Sequence, residues 1–298
     1  MSRRRELLHQ CKKLGEAREI VSSMKSLAFM ESRRLDNFLG IQRQVVQTME
    51  SAAADFLQFH PQTLPQTLQS TDASGMPPRH LFLVLGSERG FCGNFNESLV
   101  DALNGTVIEK REKHEDIGVI ACGQKLHGRL EGHPQLITGV EGAAVLDEVA
   151  GALNRLVDTL NELQRGESAL TLTVLYHDPE QESVVVRDLL PPFQQLTRRN
   201  KKLNGPPQLN LSPTQFLLAL VDQYLFATLH EILYVSLMAE NLQRMQHLEG
   251  AVRYLDQNLD FLGRRGNQLR QEEIIEEIEV ILLSATSVEP PKVDREAD

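Results

Sequence analysis

Residues 80–96 read HLFLVLGSERGFCGNFN, which is an apolar run, a loop with three glycines and the start of a helical stretch. A strand, a glycine loop and a helix in this order open a doubly wound α/β domain. A Walker-type phosphate loop ends in Gly-Lys-Ser/Thr, because the lysine reaches the outer phosphates and the hydroxyl holds magnesium. Here Gly93 is followed by Asn94 and Phe95. We therefore predict a tight structural turn without a nucleotide or other cofactor, with positive φ allowed at Gly90 and Gly93.

Short apolar runs continue on the carboxyl side of this loop and alternate with helical stretches at 97–114 and 146–166. The runs are DIGVIACG (116–123), QLITGV (135–140), LTLTVLYH (170–177) and ESVVVRDLLP (182–191). Strands that alternate with helices in this way predict a largely parallel sheet. We expect a small Rossmann-like α/β domain over residues 79–207.

The two ends of the chain are predicted to form long helices. No proline occurs before Pro61 or between Pro213 and Pro290, and proline interrupts a helix interior. The second helix has a marked start, because Ser212 can cap it, Pro213 takes its first position and Gln215 completes a capping box.

Both terminal segments carry a heptad seam, in which apolar or small residues recur mostly at steps of three and four. The first seam consists of Leu14, Ala17, Val21, Met24, Ala28, Leu35, Phe38, Val45, Met49, Ala52 and Phe56. The second consists of Met238, Leu242, Met245, Leu248, Val252, Leu255, Leu259, Leu262 and Leu269. A helix over about residues 4–57 is roughly 80 Å long, more than a compact domain covers. We expect the two helices to pair as an antiparallel coiled coil, and spacing alone leaves open the parallel pairing of two chains.

The predicted division of the chain follows from these patterns. It consists of an N-terminal coiled-coil helix (1–58), a linker (59–78), the α/β domain (79–207), a C-terminal coiled-coil helix (212–286) and a disordered tail (287–298).

Composition narrows the function classes. The 298 residues include 31 Lys and Arg against 41 Asp and Glu, a formal charge of −10, which argues against general nucleic-acid binding. The three cysteines are far apart and the nine histidines are scattered, so we predict no disulfide, metal or catalytic site. The acidic run at 272–279 is interpreted as a solvated helix side. We predict neither a signal peptide nor a membrane-spanning segment.

Three matches in chain order, the third of them in two stretches, carry a family resemblance. SSMKSLAFMESRR (22–34) is similar to K-A-M-x-M-V-A-A-S-K-M, and GSERGFCGNFN (86–96) resembles S-D-R-G-L-C-G-x-x-N. ENLQRM (240–245) and RRGNQLRQEEIIEEI (264–278) are similar to E-x-x-A-R-M and Y-N-x-x-R-Q-x-x-I-T-x-E-L-x-E-I. These motifs are those of the gamma subunit of the rotary F-type ATP synthase, and the resemblance covers almost the whole chain.

The resemblance implies a non-catalytic rotor shaft that couples transmembrane ion flow to ATP synthesis or hydrolysis in its partners. The implied partners are the alpha and beta subunits of the catalytic ring, the epsilon subunit and the membrane c-ring. Arg270 and Gln271 would meet a loop of one beta subunit, Arg89 and Arg244 would face an acidic region of beta, and Met24 would lie on the shaft near that region. The implied location is peripheral, on the cytoplasmic side of a bacterial inner membrane.

Two departures from the family pattern favour a divergent bacterial copy. Ile275 stands where the pattern has threonine, and GEAREI (15–20) replaces a stretch usually rich in Thr and Gln. Two other functions stay open on the sequence. A free-standing coiled-coil scaffold predicts a parallel dimer, and a nucleotide-binding α/β enzyme predicts nucleotide binding at residues 86–96.

Overall fold

The computed structural model describes residues 3–63, 79–111, 116–164, 170–181, 183–193, 205 and 208–286. The predicted tail and most of the predicted linker lie outside these residues. The helices are α1 (Arg3–Phe59), α2 (Phe95–Arg111), α3 (Gln124–Leu130), α4 (Val149–Gln164) and α5 (Pro213–Thr286). The strands are β1 (Arg79–Leu85), β2 (Ile117–Cys122), β3 (Leu136–Val140), β4 (Leu170–Asp178) and β5 (Ser183–Leu190).

The chain divides into two compact units. The larger unit comprises Lys25–His247, and the smaller unit comprises Met1–Met24 with Leu248–Asp298. Helices α1 and α5 contribute residues to both.

A five-stranded sheet forms the centre of the larger unit, in the order β3-β2-β1-β4-β5. The pairs β1–β2, β1–β4 and β2–β3 are parallel, and β5 runs antiparallel to β4. All the predicted strands are present, and the predicted largely parallel α/β fold is confirmed. The seven-residue helix α3 was not predicted, because it is too short for a helical period to be visible.

The sheet is covered on both faces, as the continuous apolar character of β1 requires. Leu81, Leu83 and Leu85 belong to a cluster with buried residues of α1, α4 and α5. Phe82 and Val84, on the opposite face, pack with α2 and α3. Because side chains alternate along a strand, β1 packs against α1, α4 and α5 on one face and against α2 and α3 on the other.

Helices α1 and α5 pair antiparallel within the larger unit. The ring of Phe56 lies 4.9 Å from that of Phe216, and that of Phe38 lies 6.4 Å from Tyr234. Positions that increase along α1 thus meet positions that decrease along α5, as an antiparallel coiled coil requires.

The predicted seam of α1 is wrong by one position in its second half. The predicted seam residues there that remain exposed are Phe38, Val45 and Ala52, and the buried residues are their neighbours Leu39, Val46 and Ala53. A strict heptad drifts around a 3.6-residue helix. In addition, Leu39 packs in the cluster of the sheet as well as against α5, so this part of the helix serves two partners.

The same antiparallel order holds within the smaller unit. Arg4 pairs with Glu273 at 3.2 Å and Arg18 with Asp256 at 2.9 Å. Gly266 lies so close to Leu7 that a Cβ would come within 3.3 Å of Leu7 Cδ2. Glycine at this seam position therefore permits a close approach of the two helices.

Helix α5 contains one stretch long and apolar enough to cross a membrane, with mean hydropathy 1.4. A core helix of a soluble protein passes the same test. Ile232 and Leu233 of α5 pack in the cluster of the sheet, so the stretch is weak evidence for a membrane span.

Candidate functional site

The loop between β1 and α2 is closed by side chains of its own segment. The Ser87 N–H donates to Asn96 Oδ1 at 3.0 Å, and Asn96 Nδ2 donates to Ser87 Oγ at 2.8 Å. Gly86 and Gly123 pack closely at the start of this loop. A Cβ on Gly123 would lie only 2.7 Å from the Gly86 carbonyl oxygen, so glycine is needed there. These contacts fix where the loop leaves the sheet.

Glu240 and Arg244, one turn apart on α5, hold the loop from its other side. The two side chains form an ion pair, and the residues are only 2% and 6% exposed. The guanidinium also donates to four acceptors, which are the carbonyl oxygens of Gly90 (3.2 Å) and Arg89 (3.4 Å), Asn241 Oδ1 (3.0 Å) and Cys92 Sγ (3.3 Å). Only arginine presents so many donors in one plane.

The carboxylate of Glu240 completes this contact. Its Oε2 accepts the Glu88 N–H at 3.4 Å. Burial raises the pKa of Glu240, while the charge of Arg244 and the hydrogen bonds of the loop backbone oppose that shift. Burial also raises the pKa of the Cys92 thiol, to about 11, so the thiol is neutral at pH 7.

The loop offers little to a phosphate group. Asn96 already occupies the Ser87 N–H, and Glu240 occupies the Glu88 N–H. The Glu88 carboxylate accepts the N–H groups of Gln124 (3.0 Å) and Gly142 (2.9 Å). Two carboxylates therefore lie where a nucleotide would need donors and positive charge.

The turn contains two residues with positive φ. Gly93, one of the two glycines whose type allows this, has φ 59°, and the other residue is Phe91, at 65°, rather than Gly90. A non-glycine residue in this region is disfavoured by its own Cβ. The bonds from Arg244 to Gly90 and Cys92, on either side of Phe91, hold it there.

The contact residues predicted from the sequence fall into both units. In the larger unit, Arg244 is buried beneath the loop and donates to the carbonyl of Arg89, whose side chain is exposed. In the smaller unit, Met24 is half-buried on α1, and Arg270 and Gln271 are exposed on α5. Glu240 belongs to one of the sequence motifs, but its part in the loop was not predicted. Its spacing of four from Arg244 is the signal for an ion pair on one helix face.

A cavity of about 440 Å³ lies beside the end of β4. Residues of α2, β4, β5 and α5 line it together with Asn94 of the preceding loop, and its polar lining includes Ser98, His177, Asp178, Gln243 and Gln246. His177 Nε2 lies 2.9 Å from the Phe95 carbonyl, and burial lowers the pKa of the imidazole. Among the residues that the structure describes, no group of three or more His, Cys, Asp or Glu side chains could hold a metal ion.

Comparisons with known proteins decide the family. A family model described as ATP synthase matches residues 3–288. An ATP synthase gamma chain of Clostridium botulinum is 28% identical over 208 residues, which are 68% of this chain and 71% of that protein. The chain belongs to the ATP synthase gamma family. Another gamma chain, from Paracidovorax citrulli, is 22% identical over 97% of this chain and 100% of its own length.

The fold of this chain is also found among solved structures. A chain in the structure of the Euglena gracilis mitochondrial ATP synthase, OSCP/F1/c-ring, rotational state 3, aligns with a TM-score of 0.65 at 14% identity over 98% of both chains. At this identity the likeness shows the fold alone. The family match and the curated gamma chains show that this chain is a gamma subunit of ATP synthase, which is a non-catalytic subunit.

Proposed function

We propose that this gamma chain is the rotor shaft that couples transmembrane ion flow to ATP synthesis or hydrolysis in partner catalytic subunits. The observation that carries the proposal is the carboxyl-terminal end of α5. Ile275, Ile278 and Ile281 are 55%, 50% and 65% exposed there. Contiguous apolar side chains on a soluble protein mark a surface that a partner covers. Alpha and beta subunits that surround this end of the helix would provide that cover.

We assign the direct contacts with the beta subunits to exposed polar side chains. Arg270 and Gln271 are exposed on the same end of α5 and would meet a loop of one beta subunit. Arg89 is exposed on the β1–α2 loop, and within the described residues its guanidinium has no acidic partner. It would face an acidic region of beta, with Met24 on α1 near that region. Arg244 is buried, so we propose that it contributes to this contact indirectly, by holding the loop that carries Arg89.

The epsilon subunit is the proposed partner at the larger unit. Leu27, Met30 and Ile41 of α1 are 61–66% exposed and Phe38 is 50% exposed. Leu27 and Met30 are three residues apart, as are Phe38 and Ile41, and the step of eight between the two pairs keeps them on one helix face, with Arg34 between them. The support for this assignment is the exposed apolar surface itself, which a small partner subunit could cover. The c-ring would lie below this unit, and the complex would be attached to the cytoplasmic side of a bacterial inner membrane.

The test is assembly and rotation of the complete complex. The full chain is co-produced with the alpha and beta subunits of the same organism, and a bead attached to the larger unit is followed during ATP hydrolysis. We expect one gamma chain per ring and rotation in one direction. A chain that is a parallel dimer by light scattering and does not co-purify with alpha and beta would support the scaffold instead. A saturable calorimetric signal on titrating ATP into the chain alone would support the nucleotide-binding enzyme.

A further inference from the structure

Helix α5 holds the β1–α2 loop through the loop backbone. Arg244 donates to the carbonyl oxygens of Arg89 and Gly90, and Glu240 accepts the N–H of Glu88. Gln243 Nε2 adds a contact to the loop end, Asn94 Oδ1, at 3.0 Å. Because main-chain groups make most of these bonds, the side chains of the loop are available for other contacts.

This arrangement leaves the side chains of Arg89 and Phe91 exposed. Arg89 lies on the surface, and Phe91 is 57% exposed. A cation and an aromatic ring two residues apart suit a partner that offers carboxylates beside an apolar side chain. Phe91 has its φ at 65°, so the ring is presented by a backbone conformation that the residue does not favour by itself.

Stability alone is a poor explanation for the buried pair. Removing two charges from water is costly, and a well-packed apolar pair of similar size often stabilises a protein as much or more. What an apolar pair lacks is the set of directed bonds that fixes the loop. Preorganisation of a contact loop lowers the cost of ordering it on binding.

We propose that Glu240 and Arg244 form a latch that fixes residues 86–94 on α5, and that both are positioning residues for a contact of Arg89 and Phe91 with an acidic and partly apolar surface of a partner subunit. The partner half of this inference rests on the proposed function. The latch itself concerns only contacts within the larger unit. The two halves are therefore tested by separate measurements.

The latch is tested in the full chain by the reactivity of Cys92, which contacts Arg244 and is buried. The main variant is Glu240→Leu with Arg244→Met, which leaves neither charge buried without its partner. In a Cys11→Ser background, we expect a thiol reagent to label Cys92 at least about 10-fold faster in this variant, because burial and the raised thiol pKa both protect it in the parent. Arg244→Lys, which keeps the charge but loses the planar fork, should fall between the two.

A matched control carries the same substitutions at an exposed pair with the same spacing on α5, Glu249→Leu with Arg253→Met. Its labelling rate should equal that of the parent. Equal labelling of Cys92 in the parent, the control and both latch variants would overturn the latch. If the Glu240→Leu/Arg244→Met variant is too unstable to measure, parent-like labelling in Arg244→Lys alone would overturn it.

The positioning role is tested in the assembled complex by non-additivity. The latch variant should bind the alpha–beta ring about 10-fold more weakly than the parent while its circular dichroism is unchanged. Arg89→Ala with Phe91→Ala should weaken binding similarly, and combining both sets should add less than about 2-fold. Effects that multiply, or parent-like binding by a latch variant with fast-labelling Cys92, would refute positioning. Failure of the parent itself to bind the ring refutes the proposed function and the partner half of the inference, and the labelling rates of Cys92 then still decide whether the latch exists.

Discussion

Arg187 on strand β5 donates to Glu50 on α1 at 3.4 Å and to the Tyr224 hydroxyl on α5 at 3.4 Å. The same guanidinium lies 3.7 Å from Glu231 Oε2. One side chain thus joins the antiparallel edge strand of the sheet to both long helices within the larger unit. This is where the α/β sheet and the helix pair are connected by charge as well as by apolar packing.

Replacing Arg187 with methionine should destabilise the chain by about 2–3 kcal/mol, because two half-buried carboxylates lose their shared cation. Urea unfolding of the full chain, followed by circular dichroism, measures the change. Arg129→Met, which removes an exposed ion pair with Glu97, should cost less than about 1 kcal/mol. Equal effects of the two substitutions would show that Arg187 is an ordinary surface residue.

Glu231 should make stability fall with rising pH. Burial raises the pKa of Glu231, and Arg187 and Arg43 only partly oppose the shift. A carboxyl with a raised folded pKa contributes stability that is fully present below the unfolded pKa and is lost as pH rises through the folded pKa. The window therefore begins near the ordinary glutamate value and extends upward. Glu231→Gln should flatten the pH dependence of the unfolding free energy in this window, whereas exposed Glu249→Gln should not, and an unchanged slope in Glu231→Gln contradicts the assignment.

Gly123 should not tolerate a side chain. Its φ is 109°, and a Cβ would lie 2.7 Å from the backbone oxygen of Gly86. Gly123→Ala should therefore cost about 2–3 kcal/mol and displace the start of the β1–α2 loop. Gly128→Ala, in α3 with open space around its Cβ position, should instead stabilise by about 0.5–1 kcal/mol. Thermal unfolding of both variants makes the comparison.

Arg270→Ala should weaken assembly or coupling without weakening the fold. Exposed charges on a helix rarely affect stability by more than about 0.5 kcal/mol, so the melting temperature of the isolated chain should stay the same. ATP hydrolysis and ion pumping by membranes that contain the complex provide the functional measurement, with Arg264→Ala as an exposed control on the same helix. Unchanged activity and pumping in Arg270→Ala would remove this residue from the proposed contact.

Much of the fold could be predicted, because the dominant patterns are local. Each strand is a short apolar run between turn residues, and the absence of proline marks both long helices. The seam of α1 was displaced from Phe38 to Leu39 because heptad spacing describes one partner helix, while this stretch also packs on the sheet. Spacing along one chain does not reveal a second partner that comes from elsewhere in the sequence.

The site was less predictable, because burial depends on contacts that are distant in sequence. Arg244 has the pattern of a surface cation on a heptad helix, yet a loop from much earlier in the chain covers it. Gly90 would allow a positive φ, but Phe91 adopts it instead, because the bonds of Arg244 to the neighbouring residues determine the turn more than the intrinsic preference of each residue does. Such bonds become visible only when the two segments are placed together.

Arg244 holds the loop by its backbone, so the shape of the loop and the recognition of a partner depend on different groups. Carbonyl oxygens are identical whatever residue carries them, so position 89 can vary while the turn keeps its shape, and position 91 can vary among residues that tolerate a positive φ. A chain built in this way can exchange its preference for one neighbour for another by changing two surface residues. The residues that recognise a partner can therefore change without changing the loop that carries them.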